Sequence, residues 1–131
     1  MTKIPTKPFR GKRPGEKNDW KEDHIQQYIV QESRRAGYMM AGSLEGQYIA
    51  SAKARAKAQS TGRTAGEPDM RFYLQGRIVF IELKKEKGKL SKTQKEYHEA
   101  LRGKGFQVET VYAKDPWDGW LQVYDILQEA K

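Results

Sequence analysis

Two short strand-like runs, Met70–Leu74 and Arg77–Lys84, are separated only by Gln75-Gly76. Both are rich in aliphatic and aromatic residues. The glycine between them reaches turn conformations that other residues avoid, so the pair reads as a β-hairpin. Side chains alternate faces along a strand. Ile81 and Leu83 therefore point one way, toward an expected helix-covered core, while Glu82 and Lys84 share the other face. With the turn placed at Gly76, Asp69 falls about opposite Leu83, and its carboxylate comes within reach of Glu82. Any fold for this chain must seat an apolar face and a charged one on the same hairpin.

The remaining segments supply layers for that hairpin. Asn18 or Asp19 is expected to cap a first helix. Trp20, Ile25, Tyr28 and Ile29, with Met39 beyond, follow an apolar pattern, and the helix should stop by Gly37. Tyr38–Ala41 reads as a short strand. Across Gln47–Gln59, alanine alternates with Ser51, Lys53, Arg55 and Lys57. Alternation imitates a strand, but alanine is a strong helix former and a poor strand former, so a basic, solvent-facing helix is predicted. Ser60–Pro68 is a loop. Ser91 and Gln94 form an S-x-x-Q capping box opening a helix with Tyr97, Ala100 and Leu101 on one face, closed by Gly103 and Gly105. Phe106, Val108, Thr110 and Tyr112 alternate as a further strand. Pro116 and Trp117 start a last helix in which Trp120, Leu121, Tyr124 and Leu127 recur at helical spacing; its aromatics read as core or dimer contacts. The order α-β-α-β-β-α-β-α predicts an α/β (mixed α-β) fold with a central mixed sheet flanked by helices.

Length and charge narrow the partners. At 131 residues the chain is sized for one small domain, expected over residues 18–131. Residues 1–17 carry six basic residues against one acidic, a net +5, and Pro5, Pro8 and Pro14 with Gly11 and Gly15 forbid a helix there. This stretch reads as a basic flexible arm, either a solubilising tail or a tracker of phosphates. The whole chain has a formal net charge of +8, which favours a polyanion such as nucleic acid. Met1–Arg10 lacks the apolar stretch of a signal peptide, and the longest apolar run, Ile78–Ile81, is too short to span a bilayer. A soluble, unsecreted cytoplasmic protein without membrane partners is expected. The chain has no cysteine, which excludes disulfides, thiolate zinc sites and cysteine nucleophiles.

Asp69, Glu82 and Lys84 carry the most chemistry. Two carboxylates side by side on a sheet repel, and a cation is the economical remedy. Ligation by oxygen alone suits Mg²⁺, with Mn²⁺ able to substitute, because these ions accept one or two carboxylates plus water and phosphate oxygens. As a bare pattern D…E-x-K is common, since many strands carry E-x-K as a surface ion pair.

The flanking residues are more specific. Gly66-Glu67-Pro68-Asp69, Ile81-Glu82-Leu83-Lys84 and Gly88-Lys89-Leu90-Ser91-Lys92-Thr93-Gln94 resemble, in order and spacing, the three central motifs of the virus-type replication-repair nucleases. This VRR-NUC family belongs to the PD-(D/E)xK restriction-endonuclease-like superfamily. The resemblance runs from about Trp20 to Val111, and the Ala/Lys-rich helix before G-x-P-D is similar to that of phage members. It implies a restriction-endonuclease-like core, with Asp69, Glu82 and the backbone carbonyl of Leu83 as metal ligands and Lys84 as the catalytic lysine. It further implies a catalytic role for Gln94, which is also the capping-box partner of Ser91. An acidic residue of the first helix in a pattern like E-x-x-I-Q corresponds to Glu22, a further catalytic carboxylate and metal ligand, with Gln26 one turn beyond. Asp23 is its neighbour. His98, one turn after Gln94, either touches the site or, as is more common, lies inert on the exposed side of its helix, and His24 reads as surface.

The activity so implied is metal-dependent, structure-selective endonucleolytic hydrolysis of DNA. Small stand-alone members resemble Holliday-junction-resolving enzymes, and symmetric cutting of a junction implies a C2 homodimer in a bacterial or phage-infected cell. Lys53, Arg55, Lys57, Arg63, Lys85, Lys87 and Lys89 are the expected DNA-binding residues. The alternatives are a nuclease acting on flaps, nicked or single-stranded DNA, and a non-catalytic basic DNA-binding protein.

Overall fold

The structure, a computed structural model, describes residues 20–43, 51–62 and 64–130. The basic arm, Asn18, Asp19, residues 47–50 of the expected second helix and Arg63 lie outside the described residues. The elements follow the predicted order: α1 (Glu22–Arg35), β1 (Met39–Gly42), α2 (Ala52–Ser60), β2 (Met70–Leu74), β3 (Arg77–Lys85), α3 (Lys92–Gly103), β4 (Gln107–Ala113) and α4 (Pro116–Glu129).

The hairpin forms as its turn chemistry dictates. Leu74 pairs with Arg77 across the two-residue turn, in which Gly76 takes the left-handed φ of 75°. The four-stranded sheet has the order β1-β2-β3-β4, antiparallel for the first two pairs and parallel between β3 and β4. A parallel pair needs a crossover, and α3 provides it.

Helices cover both faces, unequally. On one face α1 contributes Ile25 and Ile29, and α4 contributes Trp120, Val123 and Leu127. They close over Met40, Met70, Phe72, Val79, Ile81, Leu83 and Val111, all buried. Each such side chain stabilises the fold by roughly 1.5–3 kcal/mol. Pro116 opens α4, and the Asp115 carboxylate caps it by accepting from Asp118 N–H at 2.7 Å. Trp117 and Tyr124 pack against this core. On the other face α3 packs on β4 and reaches β3 through Gln94 and His98, and Phe80 of β3 makes an edge contact with Phe106.

Four expectations need correction. The first helix begins at Glu22 after Lys21, which makes no side-chain cap. Met39 does not continue its apolar stripe; it lies in β1 and is 70% exposed. The alanine-rich helix begins at Ala52, because Ser51 is itself extended and its hydroxyl caps the helix by accepting from Ala54 N–H at 3.1 Å. Finally, the inward face of α3 is turned from the expected Tyr97–Ala100–Leu101 stripe: Ala100 is exposed and His98 is fully buried.

Candidate active site

Strand alternation puts Glu82 and Lys84 on the α3 side of β3, at its C-terminal end. The hairpin register pairs Met70 with Ile81, so one further step sets Asp69 against Glu82 rather than Leu83. The one-residue difference arises because the turn is centred between Gln75 and Gly76, not on Gly76. Leu83 still meets Asp69 through its backbone, whose N–H donates to Asp69 Oδ2 at 2.8 Å. From the other side, Ser43 N–H donates to the Asp69 carbonyl at 2.7 Å. Asp69 is thereby pinned between β1 and β3.

The approach of Asp69 is also fixed by Gly66. This residue adopts φ 87°, and a Cβ there would stand 2.7 Å from the Thr93 carbonyl oxygen. Only glycine lets the G-x-P-D loop lie this close to the start of α3. Ser91 caps that start: its hydroxyl accepts from Gln94 N–H at 3.1 Å, while Gln94 Oε1 accepts from Ser91 N–H at 2.8 Å. Gln94 Nε2 meanwhile donates to Glu82 Oε2 at 3.2 Å. The two readings of Gln94 are therefore compatible; one amide end caps the helix and the other holds the acid.

Glu82 is 1% exposed. Burial first, then a hydrogen bond that the protonated carboxyl donates to Asp69 and repulsion by the Asp69 carboxylate, push its pKa up to about 9, against the pull of Lys84. Lys84 Nζ stands 4.0 Å from Glu82 Oε2. Glu22, at the start of α1, lies near enough to feel the charges of Asp69 and Lys84. Its pKa is raised by burial and by Asp69, and lowered by Lys84 and by the Lys85 backbone N–H. Gln26 Nε2 and the Asp69 carbonyl oxygen both lie beside Gly42, 3.7 and 3.6 Å from where a Cβ there would stand.

His98 is the residue that sequence reasoning misplaced. It is fully buried, with Nε2 3.5 Å from Glu82 Oε1. Burial, Arg102 and Lys84 lower its pKa, which favours the neutral imidazole. Its i, i+4 spacing from Gln94 was the available signal. Lys53, Arg55, Lys57, Lys85, Lys87 and Lys89 are all exposed, and His24 is on the surface as expected.

The donor set fits a hard cation. Asp69 and Glu82 are oxygen donors crowded enough to share a proton, and Glu82 Oε1 is buried without a hydrogen-bond partner. Among the described residues no three His, Cys, Asp or Glu side chains converge to cage an ion. Mg²⁺ takes one or two carboxylates and completes its shell with water and phosphate oxygens.

A family model, the VRR-NUC domain, matches residues 17–115. The chain belongs to this family. In fold, this VRR-NUC domain is similar to a solved structure titled as a VRR_NUC domain protein, with TM-score 0.60 and 23% identity over 82% of this chain and 85% of that one. A solved VRR_NUC domain matches with TM-score 0.55 and 24% identity over 84% of this chain and 97% of its own. No curated protein matches the chain. Family membership implies a nuclease-type function with DNA as partner. Among the described residues no helix is long and apolar enough to cross a membrane.

Proposed function

We propose that this VRR-NUC domain is a Mg²⁺-dependent endonuclease that hydrolyses phosphodiester bonds in branched DNA, acting as a C2 homodimer on four-way junctions. The observation that carries the reading is the buried Glu82 carboxyl beside Asp69 and Lys84. Burying an acid against a second acid is costly, and a binding protein gains nothing from clustered carboxylates beside phosphates. Asp69, Glu82 and the Leu83 carbonyl would hold the ion, with Glu22 as a further carboxylate. The chemistry such an ion supplies when bound is polarisation of phosphoryl oxygens and a lowered pKa for a coordinated water.

The chain's own residues do the rest. Lys84 keeps an ammonium beside the carboxylates, where it offsets charge developing on the phosphate or orients the attacking water. Gln94 holds Glu82 Oε2 and so tethers one oxygen of the carboxylate. Lys85, Lys87 and Lys89 around the β3–α3 connection, and Lys53, Arg55 and Lys57 on α2, are exposed and would meet the phosphates. Binding through them should weaken steeply with salt, as counterion release requires.

The test is a cleavage panel of four-way junction, flap, nicked, duplex and single-stranded DNA with Mg²⁺ or Mn²⁺, run alongside light-scattering mass. Symmetric junction cutting by a dimer supports the full reading. Preferential cutting of flaps, nicks or single strands replaces the junction assignment. Tight binding with no cutting of any substrate makes the protein a non-catalytic DNA binder.

A further inference from the structure

We propose that His98 is a positioning residue which, together with Gln94, grips the Glu82 carboxylate from one face of α3. The inference rests on reading Glu82 as a metal ligand.

Gln94 and His98 stand one helical turn apart, so their side chains emerge side by side. They divide the two oxygens of Glu82 between them: Gln94 Nε2 lies 3.2 Å from Oε2, and His98 Nε2 lies 3.5 Å from Oε1. The second distance is longer than a hydrogen bond. Glu82 Oε1 and both imidazole nitrogens are otherwise buried without hydrogen-bond partners. Buried polar atoms in native proteins are almost always satisfied, so an orphaned donor facing an orphaned acceptor marks a contact built to close. Closing it needs about 0.6 Å, reached by a small rotation of the carboxylate.

Packing alone gives no reason for a histidine here. The site is fully buried, and leucine would fill a comparable volume without stranding two ring nitrogens. What imidazole adds is a nitrogen able to carry an N–H, 3.5 Å from the one Glu82 oxygen that Gln94 does not bond. With both oxygens held, the carboxylate presents a fixed edge toward Asp69. Such outer partners of metal-binding carboxylates orient the ligand and tune its affinity.

The experiment uses the full chain, freed of metal, as wild type, His98→Leu, His98→Gln, His98→Asn, Glu82→Gln and the His98→Leu/Glu82→Gln double variant. Calorimetric titration with MnCl₂ should show His98→Leu binding about 10–100-fold more weakly than wild type. His98→Gln, whose amide N–H reaches as far as Nε2, should recover most of the loss. His98→Asn, too short to reach Oε1, should not. This Gln/Asn contrast stands even where His98→Leu fails to fold. Equal Mn²⁺ affinity in wild type and His98→Leu, or in the Gln and Asn variants, overturns the proposal. Unfolding midpoints without metal supply the second reading. The effect of His98→Leu should change in the Glu82→Gln background, and simple additivity overturns the contact. Coupling in a wild type that binds no Mn²⁺ would keep the His98–Glu82 contact and sink the metal reading instead.

Discussion

Each face of β3 holds fully buried side chains, and they are buried for opposite reasons. Val79, Ile81 and Leu83 enter a face closed by α1 and α4, where they join the apolar core and burial itself is the stabilising force. Glu82, one residue away on the chain, is as well buried under α3 beside Asp69, Lys84 and His98. There burial opposes folding, because it raises the cost of charge. One strand thus uses its rigidity on one side to hold strain on the other. The core face explains why the site can exist, and the site face explains why the core must be tight.

Substitutions on neighbouring residues should separate the two roles cleanly. Glu82→Ala is expected to lower Mg²⁺-dependent DNA cleavage by about 10³-fold or more, several kcal/mol of transition-state stabilisation, while leaving the chain folded. Asp69→Ala should behave alike. Single-turnover cleavage with circular dichroism as a folding control checks both, and unchanged cleavage in Glu82→Ala would discard the site. Leu83→Ala inverts the pattern. It should cost about 2–5 kcal/mol in urea unfolding, with any loss of activity following from lost structure. If Leu83→Ala is folded and inactive, the two faces are not as separate as the packing implies.

Proton linkage gives the comparison a solution signature. The folded-state pKa of Glu82 lies above the ordinary glutamate value, so between that value and about 9 the native protein retains a proton that the unfolded chain has lost. Stability of the metal-free protein is therefore full below the unfolded pKa and declines as pH rises toward 9. Glu82→Gln, which cannot ionise, should flatten that slope. Mg²⁺ should restore stability in wild type at high pH, by about 2.7 kcal/mol at a concentration 100-fold above its Kd. Thermal melts between pH 5 and 9, with and without Mg²⁺, measure both. A slope that is equal in wild type and Glu82→Gln would place the protonic strain elsewhere.

The same contrast explains what could be read in the chain before its structure. The core face was legible, because alternation and helical spacing encode apolar contacts directly. The site was legible where it is local: Asp69 and Glu82 meet through a two-residue turn, and Ser91 and Gln94 through a capping box. His98 was misjudged because the inward side of α3 was expected to be apolar, following Tyr97, Ala100 and Leu101. A buried Glu82 reverses that preference and draws the polar stripe inward. How Glu22 comes beside Lys85 N–H depends on where α1 starts relative to the far end of β3, a tertiary distance that no sequence interval records.

Two glycines test the comparison at its finest grain. Gly66→Ala, on the site side, would force a left-handed residue and drive its Cβ to 2.7 Å from the Thr93 carbonyl oxygen, which is backbone and cannot swing away. A cost of about 1–3 kcal/mol is expected, together with weaker cleavage, since the same loop carries Asp69. Gly119→Ala, on the core side, should cost less. Its Cβ would meet Ile29 Cδ1 at 3.0 Å, Ile25 Cγ2 at 3.1 Å and Ala113 Cβ at 3.2 Å. Replacing a helical glycine by alanine is favourable by roughly 1 kcal/mol, which offsets part of the overpacking. The Ile29 terminus can give, but Ala113 Cβ moves only with its strand, so a net loss of about 1 kcal/mol or less is expected, with cleavage unchanged. A Gly119→Ala variant more stable than wild type by chemical denaturation would show slack in the core face, and the tight apolar layer would no longer account for how the strained face is held.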